Sequence, residues 1–469
     1  LTSCVNYVGL HNKEHLRTPE QFTTRNSLSD QNGSWPSTDW AKQFDSQLPA
    51  LIKEALTNNP DLRIAVSRLN QAQALVEARN ASLLPSVDFL GLAARNKIIY
   101  PLIHPLMNFG LIATNVRYEL DFWGKNYSLL AQALSEEKVR QADLCQSVLM
   151  LSTMIATVYN QLDYEYALQD LLRHTTKQRM VLNKITKQLF KSGLVTDVQV
   201  YQAQNAYADV NTQLVAVDGQ IQIARQQLGI LLGSGPERGF TIARPKFAVL
   251  ADPKLPNSLP FNLLGRRPDI VATRWQVEAS LYGVKNLKAQ FYPDVDLLAL
   301  AANFSLGSAA LFRQSNHVLG GAAALSLPIF DGGSLKAQLK GRYAVLDEQI
   351  AMYNSTLNKA LGDVAGQMTS IRSVDQQLKA QKYALSVSRK AFALAQKQYE
   401  IGLTSQIIVL DAEAHYLQEQ QAHLLLIKSR RDLQIALIKA LGGGFDELML
   451  PTPRTTASPN HFLKKDEHV

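Results

Sequence analysis

The sequence contains one pattern twice. Asn59-Pro60-Asp61-Leu62 returns as Arg267-Pro268-Asp269-Ile270, Leu84-Pro85-Ser86-Val87-Asp88-Phe89 as Tyr292-Pro293-Asp294-Val295-Asp296-Leu297, and Phe122-Trp123-Gly124 as Phe330-Asp331-Gly332, each 208 residues on. Phe190-Lys191-Ser192-Gly193-Leu194 then pairs with Tyr399-Glu400-Ile401-Gly402-Leu403, and Leu232-Gly233 with Leu441-Gly442, at a shift of 209, so one residue is gained in between. A period this long means two copies of a whole supersecondary unit, not a solenoid of short repeats.

Each copy reads the same way. Residues 1–39, polar and rich in Asn, Ser, Thr and Pro, form an extended arm; 40–235 are the first repeat, 236–262 a connecting segment, 263–444 the second repeat and 445–469 a tail. Trp40, Phe44, Leu48 and Leu51 begin a helical spacing, and a good helix former runs from Pro60 until Pro85 forces Leu84 out of helical geometry. The period then changes from 3.6 to 2, as in a strand whose two faces meet different surroundings. Leu90, Leu92 and Ala94 share one face with Leu298, Leu300 and Ala302, while Arg95 and Lys97 share the other with Asn303 and Ser305. In the returning strand Ile112, Thr114, Val116, Tyr118 and Leu120 alternate with Asn115, Arg117, Glu119 and Asp121, which suits a barrel with lipid outside and water inside. The expected pore-facing set is therefore Arg95, Lys97, Asn115, Arg117, Glu119 and Asn303. Leu325, Leu327 and Ile329 break the pattern, because they occupy the parity that is charged in the first copy.

From Gly124 to Lys191, and again from Gly332 to Ile401, there is no proline, and each run is dense in Ala, Leu, Gln, Lys and Glu. Helices of that length reach about 100 Å, far more than a bilayer is thick. Leu144, Val148, Leu151, Ile155, Val158 and Leu162, like Val210, Leu214, Val217, Ile221, Ala224, Leu228 and Leu231, step by alternating threes and fours, the spacing of a coiled-coil seam. Gly193 and Gly402 sit where each long helix must reverse, and Thr196 with Gln199 forms a capping box for the return helix.

Composition excludes several classes. The net charge is +8, but the basic residues are scattered among 40 acidic ones with no run beyond pairs such as Arg266-Arg267, so no nucleic-acid patch forms. No stretch reaches the ~18 uninterrupted apolar residues of a spanning helix. Leu1-Thr2-Ser3-Cys4 has the form of a bacterial lipobox, which makes Cys4 the expected lipid attachment site; the plainer reading is an incidental thiol. Cys145 lies in a helical pattern as a small apolar residue. No catalytic constellation and no cofactor motif is present: Gly229, Gly233 and Gly235 lack the Lys-Ser/Thr of a phosphate loop, and His415 and His423 lack the spacing of a zinc helix.

The duplicated unit, the proline-flanked hairpins, Tyr118-Glu119-Leu120-Asp121-Phe122-Trp123-Gly124, Arg267-Pro268-Asp269-Ile270, Leu325-Ser326-Leu327-Pro328-Ile329-Phe330-Asp331-Gly332-Gly333, and Gly402-Leu403-Thr404-Ser405 with Leu410-Asp411-Ala412 together resemble the TolC-like outer-membrane efflux proteins. The lipobox is similar to that of their NodT-like lipoprotein branch. The resemblance spans Trp40 to Leu450. It implies a mainly α fold with a transmembrane β part: a homotrimer whose twelve-stranded β-barrel sits in outer-membrane lipid and continues as an α-helical barrel through the periplasm. It also implies two partners, a periplasmic adaptor and an inner-membrane transporter. The adaptor would meet the hairpin tips at Gly193, Leu194, Thr196, Gly402, Leu403 and Ser405, and a gate would lie at Ile407 and Asp411. Physics favours the oligomer, since the strands of one chain cannot close a barrel and those of two would make one filled by side chains. The rival reading is a coiled-coil periplasmic adaptor or structural protein without a pore. An adaptor's Gly-punctuated β-rich module between helical arms is missing from the sequence.

Overall fold

The computed structural model describes residues 7–18, 21, 31–97, 106–247, 255–256, 259–306 and 316–449. After a short strand β1 (Gln31–Gly33), the first copy runs α1 (Leu48–Asn58), α2 (Pro60–Ala81), β2 (Ser86–Lys97), β3 (Leu106–Leu120), α3 (Lys125–Lys191) and α4 (Asp197–Leu231). Strand β4 (Leu255–Pro256) pairs in parallel with β1. The second copy follows as α5 (Leu259–Arg266), α6 (Pro268–Ala289), β5 (Asp294–Leu306), β6 (His317–Ser326), α7 (Ser334–Glu400) and α8 (Gln406–Ala440). Helix lengths agree between copies: 22 residues for α2 and α6, 67 for α3 and α7, 35 for α4 and α8.

Local chemistry sets these boundaries. The Asn59 side chain accepts from Asp61 N at 2.8 Å and donates to Leu231 O at 2.9 Å, so it caps α2 and ties it to the end of α4. Trp40, Phe44, Leu48 and Leu51 are all buried, yet they do not form one helix. Asp45 intervenes: its Oδ1 accepts from Gln47 N at 2.8 Å and its Oδ2 from Tyr159 Oη at 2.9 Å, which turns the chain before α1.

Apolar clusters hold the long helices: one is centred on α3 and α4 and takes in Leu417 and Ile435 of α8, one on α6 and α7, and a small one joins Val139 and Ala142 of α3 to Val271 and Ala272 of α6. Ile155 and Leu162 of α3 and Val210 and Leu228 of α4 are fully buried, with Val217, Ile221 and Ala224 beside them, so the seam read from the sequence is packed from Leu151 onward, while Leu144 and Val148 at its start are half-buried and lie outside the cluster. The second copy has a seam that sequence reading missed. Leu339, Tyr343, Leu346, Ile350, Tyr353, Leu357, Ala360 and Val364 alternate steps of four and three along α7, and Ile270, Val277, Val284 and Phe291 meet them every seventh residue. By length and composition α3 could cross a membrane, with a window of mean hydropathy 1.3 of which 39% is buried in the structure, while Ile155, Leu162 and Leu172 of the same helix are spent on packing.

The sheet has four strands in the order β2-β3-β5-β6, all antiparallel. Its register corrects two expectations. Odd positions of β2 pair with even positions of β3, Arg95 with Asn108, and even positions with odd, Asp88 with Asn115. Even positions of β3 in turn pair with odd positions of β5, Ile112 with Asn303. Cross-strand partners share a face, so Arg95 and Asn303, with Lys97 at the same parity, lie on the side of Ile112, Thr114 and Tyr118. Asn115, Arg117 and Glu119 lie on the opposite side, with Leu90, Leu92, Leu298 and Leu300. The six residues expected to face the pore together are thus split three and three, because alternation within one strand says nothing about which parity its neighbour presents.

The second correction explains Leu325. Val87 pairs with Val116, and its counterpart Val295 pairs with Leu325, so β2 maps onto β5 at a shift of 208 but β3 maps onto β6 at 209. The gained residue therefore falls between β5 and β6. Leu325 lies on the side of Val116, and its parity is inverted only in numbering. The counterpart of Gly124, which precedes α3 at φ 71°, is Gly333, which precedes α7 at φ 88°, not Gly332.

The arm lies along the second copy. Tyr7 Oη meets Tyr292 Oη at 2.8 Å and its ring sits edge-on to Phe291. Lys13 N and Glu14 N both donate to Asp347 Oδ1, and Arg17 N donates to Asn354 Oδ1 at 2.8 Å. Cys4 lies outside the described residues.

The register makes a direct prediction. Single cysteines at Asn303 and Ile112 should react alike with a membrane-impermeant thiol reagent, and cysteines at Asn115 and Leu300 should form the opposite class. Equal labelling at positions 303 and 115 would show the register to be wrong.

Candidate functional site

At the far end of each helical pair the chain reverses in one geometry. Leu194 N donates to Leu189 O at 3.0 Å and Gly193 N to Phe190 O at 2.9 Å; Leu403 N donates to Gln398 O at 2.8 Å and Gly402 N to Tyr399 O at 3.0 Å. These are paired Schellman motifs, which require a left-handed residue, and the two glycines adopt φ 69° and 76°. Thr196 then starts α4 through its capping box, with its N–H donating to Gln199 Oε1 at 2.9 Å, and Ser405 precedes α8. Leu194 and Leu403 protrude at 70% and 75% exposure. The glycines at the ends of α4 and α8 make the same kind of helix stop, with Gly233 N on Ile230 O and Gly442 N on Lys439 O.

Ile407 is exposed at 45%, and Asp411 one turn on is exposed with its Oδ2 3.8 Å from His415 Nε2. In the first copy Gln202 is half-buried, while Val198 and Tyr201 project. His423, farther along α8, packs toward α7; burial, then the Lys382 charge, pushes its imidazole pKa down.

What sequence reading missed is the contact between the two helical pairs. Near the tip Gln406 Nε2 donates to Thr186 Oγ1 at 2.7 Å, and Arg179 Nε meets Glu413 Oε2 at 3.0 Å while its Nη1 donates to Ala206 O at 2.8 Å. Higher up, Asn160 Nδ2 reaches Lys428 O and Asp432 Oδ1, and Arg431 meets Asp163. All four residues of the two lower contacts are buried. Burial pushes the Glu413 carboxyl up, opposed by the Arg179 charge. One signal was available: Leu172, Arg179 and Thr186 continue at seven-residue spacing, so polar residues take over the buried stripe where the apolar ones end.

This contact orients the exposed groups. Asp411 and His415 each stand two residues from Glu413, about 200° round the helix, so they face away from α3.

The profile of the outer membrane efflux protein family matches residues 51–234 and 259–443, and the chain belongs to that family. It is 30% identical over 443 residues to the multidrug resistance outer membrane protein MdtP of Escherichia coli strain K12, covering 91% of this chain and 90% of that one. It is 35% identical over 323 residues to the fusaric acid resistance protein FusA of Burkholderia cepacia, covering 66% of this chain and 61% of that one. The structure of VceC from Vibrio cholerae superposes with a TM-score of 0.81 at 33% identity, covering 88% of this chain and all of that one. The outer-membrane channel OprN shares the fold, with a TM-score of 0.82 at 24% identity over 93% and 98% of the two chains. The protein is an outer-membrane efflux channel component.

Removing one partner of a buried ion pair leaves an uncompensated charge and costs about 3–5 kcal/mol. Glu413→Ala should therefore raise hydrogen exchange of the amides from Thr176 to Val200 by about a hundredfold or more. Exchange unchanged at the tip, measured by mass spectrometry, would show that Arg179 has found another partner.

Proposed function

We propose that three copies of this chain form a passive exit duct for small toxic solutes such as drugs or ions, linked through a periplasmic adaptor to an energised inner-membrane transporter. One observation carries this reading: a four-stranded sheet with both edges unpaired among the described residues is joined to two helical pairs, each about 100 Å long. Open strand edges are untenable in hydrocarbon, and copies of the same sheet are the natural closure. The names of the relatives, multidrug and fusaric acid resistance, support small organic molecules as cargo.

The exposed side of α8 supports a gate. Round a threefold axis, Ile407 would give an apolar ring that resists wetting and Asp411 a carboxylate ring that concentrates cations. The purified protein should be a trimer in detergent with low conductance in planar bilayers. Asp411→Ala should raise that conductance severalfold and weaken block by multivalent cations, while Gln202→Ala should do less. A monodisperse monomer by light scattering would favour a poreless coiled-coil protein, and unchanged conductance and block in Asp411→Ala would move the gate elsewhere.

Acylation of Cys4 is supported by the arm. Tyr7 packs beside Phe291 and Tyr292, just before β5, and three residues span at most about 10 Å. A lipid on Cys4 would thus meet the barrel at its helical end. More than one acyl chain is needed for firm anchoring. Mass spectrometry of protein made with its own leader should find diacyl or triacyl Cys4; a free thiol there would end the proposal.

A further inference from the structure

Where the helices of the second copy reach the sheet, two packed neighbours each carry a pair of lysines. Lys285 and Lys288 stand three apart in the last two turns of α6, and Lys336 and Lys340 four apart in the first two turns of α7. At 1.5 Å per residue all four lie within about 10 Å of the helix ends that lead into the strands. Lys285, Lys336 and Lys340 are exposed and Lys288 is half-buried. Like charges at these spacings repel. None of the four enters an ion pair among the described residues, and the acids around them are engaged: Asp294 meets Lys125 at 2.8 Å, Asp331 accepts from Gly333 N and Leu335 N, and Asp347 accepts from Lys13 N and Glu14 N. Lys288 joins the two pairs. Its Nζ lies 5.5 Å from the ring centre of Tyr7 and 5.7 Å from that of Tyr343, a residue one turn beyond Lys340 on α7.

Two observations set this cluster beside lipid. The strand ends here carry exposed aromatic rings: Phe122, Trp123 and Phe330 are exposed at 66%, 50% and 74%, and Trp123 stacks on Tyr292 at 4.6 Å. Such rings collect at the level of lipid headgroups. The arm also climbs toward the sheet along this side of α7, with Arg17 N on Asn354, then Lys13 N on Asp347, and then Tyr7 beside Lys288. Lys340 continues the same stripe, seven residues before Asp347. We propose that Lys285, Lys288, Lys336 and Lys340 bind the phosphates of an anionic phospholipid in the inner leaflet of the outer membrane. The proposal rests on the channel reading above, which embeds the sheet in lipid and leaves the arm on the outer wall. Lysine suits this place, because its stem can lie along apolar surface while the ammonium reaches the headgroup. A basic cluster beside a membrane span attracts anionic headgroups at short range. The arrangement in two pairs on adjacent helices fits a lipid with two phosphates, and an anion between the pairs relieves the repulsion within each.

The test titrates the purified protein in detergent with cardiolipin and, in parallel, with phosphatidylcholine, and counts bound lipid by native mass spectrometry. Wild-type protein should hold cardiolipin about tenfold or more tightly than the zwitterionic lipid. Lys285→Gln, Lys288→Gln, Lys336→Gln and Lys340→Gln together should abolish that preference, and arginine at the four positions should preserve it. Lys336→Gln with Lys340→Gln, both exposed and outside the core, should already cut it by about threefold or more with the trimer intact. The same loss of charge at Lys379, Lys382, Lys390 and Lys397, far along α7, should leave it unchanged. Equal affinity for the two lipids in the wild type, an undiminished preference in the quadruple variant, a lost preference in the remote one, or tighter binding of lipid A than of cardiolipin overturns the proposal. A wild-type protein that is neither trimeric nor conducting would instead overturn the channel reading.

Discussion

Hydrocarbon does not hydrogen-bond, and the rest of this molecule follows from how its backbone meets that fact. Inside a bilayer every unsatisfied amide costs several kcal/mol, so a strand must be paired on both edges. Among the described residues this sheet has four antiparallel strands, which leaves β2 and β6 with one free edge each. Duplication is the economical way to reach even that number, since one hairpin is copied with the helices that follow it. The helices then face the opposite problem. They are too long for a membrane and too polar for a single core, and they are held by narrow apolar seams that change to polar contacts toward the tip.

That change of seam chemistry separates two kinds of packing. Ile155, Leu162, Val210 and Leu228 between α3 and α4, and Leu339, Leu357 and Val364 where α7 meets α6, are wholly buried, and exchanging one for alanine would cost about 2–5 kcal/mol. Between the pairs, Arg179–Glu413, Thr186–Gln406 and the Asn160 bonds are specific in geometry but modest in net energy, because each polar group gives up water to form them. Buried atoms there without partners, Asn160 Oδ1 and Gln406 Oε1, point the same way.

Much of this was legible in the residues. Pro60, Pro85, Pro268 and Pro293 mark boundaries because the ring fixes φ and removes a donor, effects that act locally. The first seam and the two tip glycines were legible for the same reason. The facing of the strands was not, since it depends on how neighbours pair, and a one-residue gain between β5 and β6 inverted the parity of Leu325 without moving it to the other face. The break in the helix after Phe44 was hidden too. It depends on Asp45 bonding Gln47 beside it and Tyr159 more than a hundred residues away. At the candidate site, Asp411 and Ile407 could be named from the motif, but their direction depends on Glu413, whose partner lies on another helix.

The position of the gained residue has its own consequence. In a helix, one added residue advances everything after it by about 100° and 1.5 Å. Had it fallen inside the 67 residues of α7, half the stripe from Leu339 to Val364 would have rotated out of phase with α6. Between two antiparallel strands, at the end of the sheet remote from the helices, the same residue only lengthens a connection, and Val295 still finds Leu325. The helical part of such a protein keeps strict time along its length, while the strand connection is a place where the chain can lengthen without passing the error on.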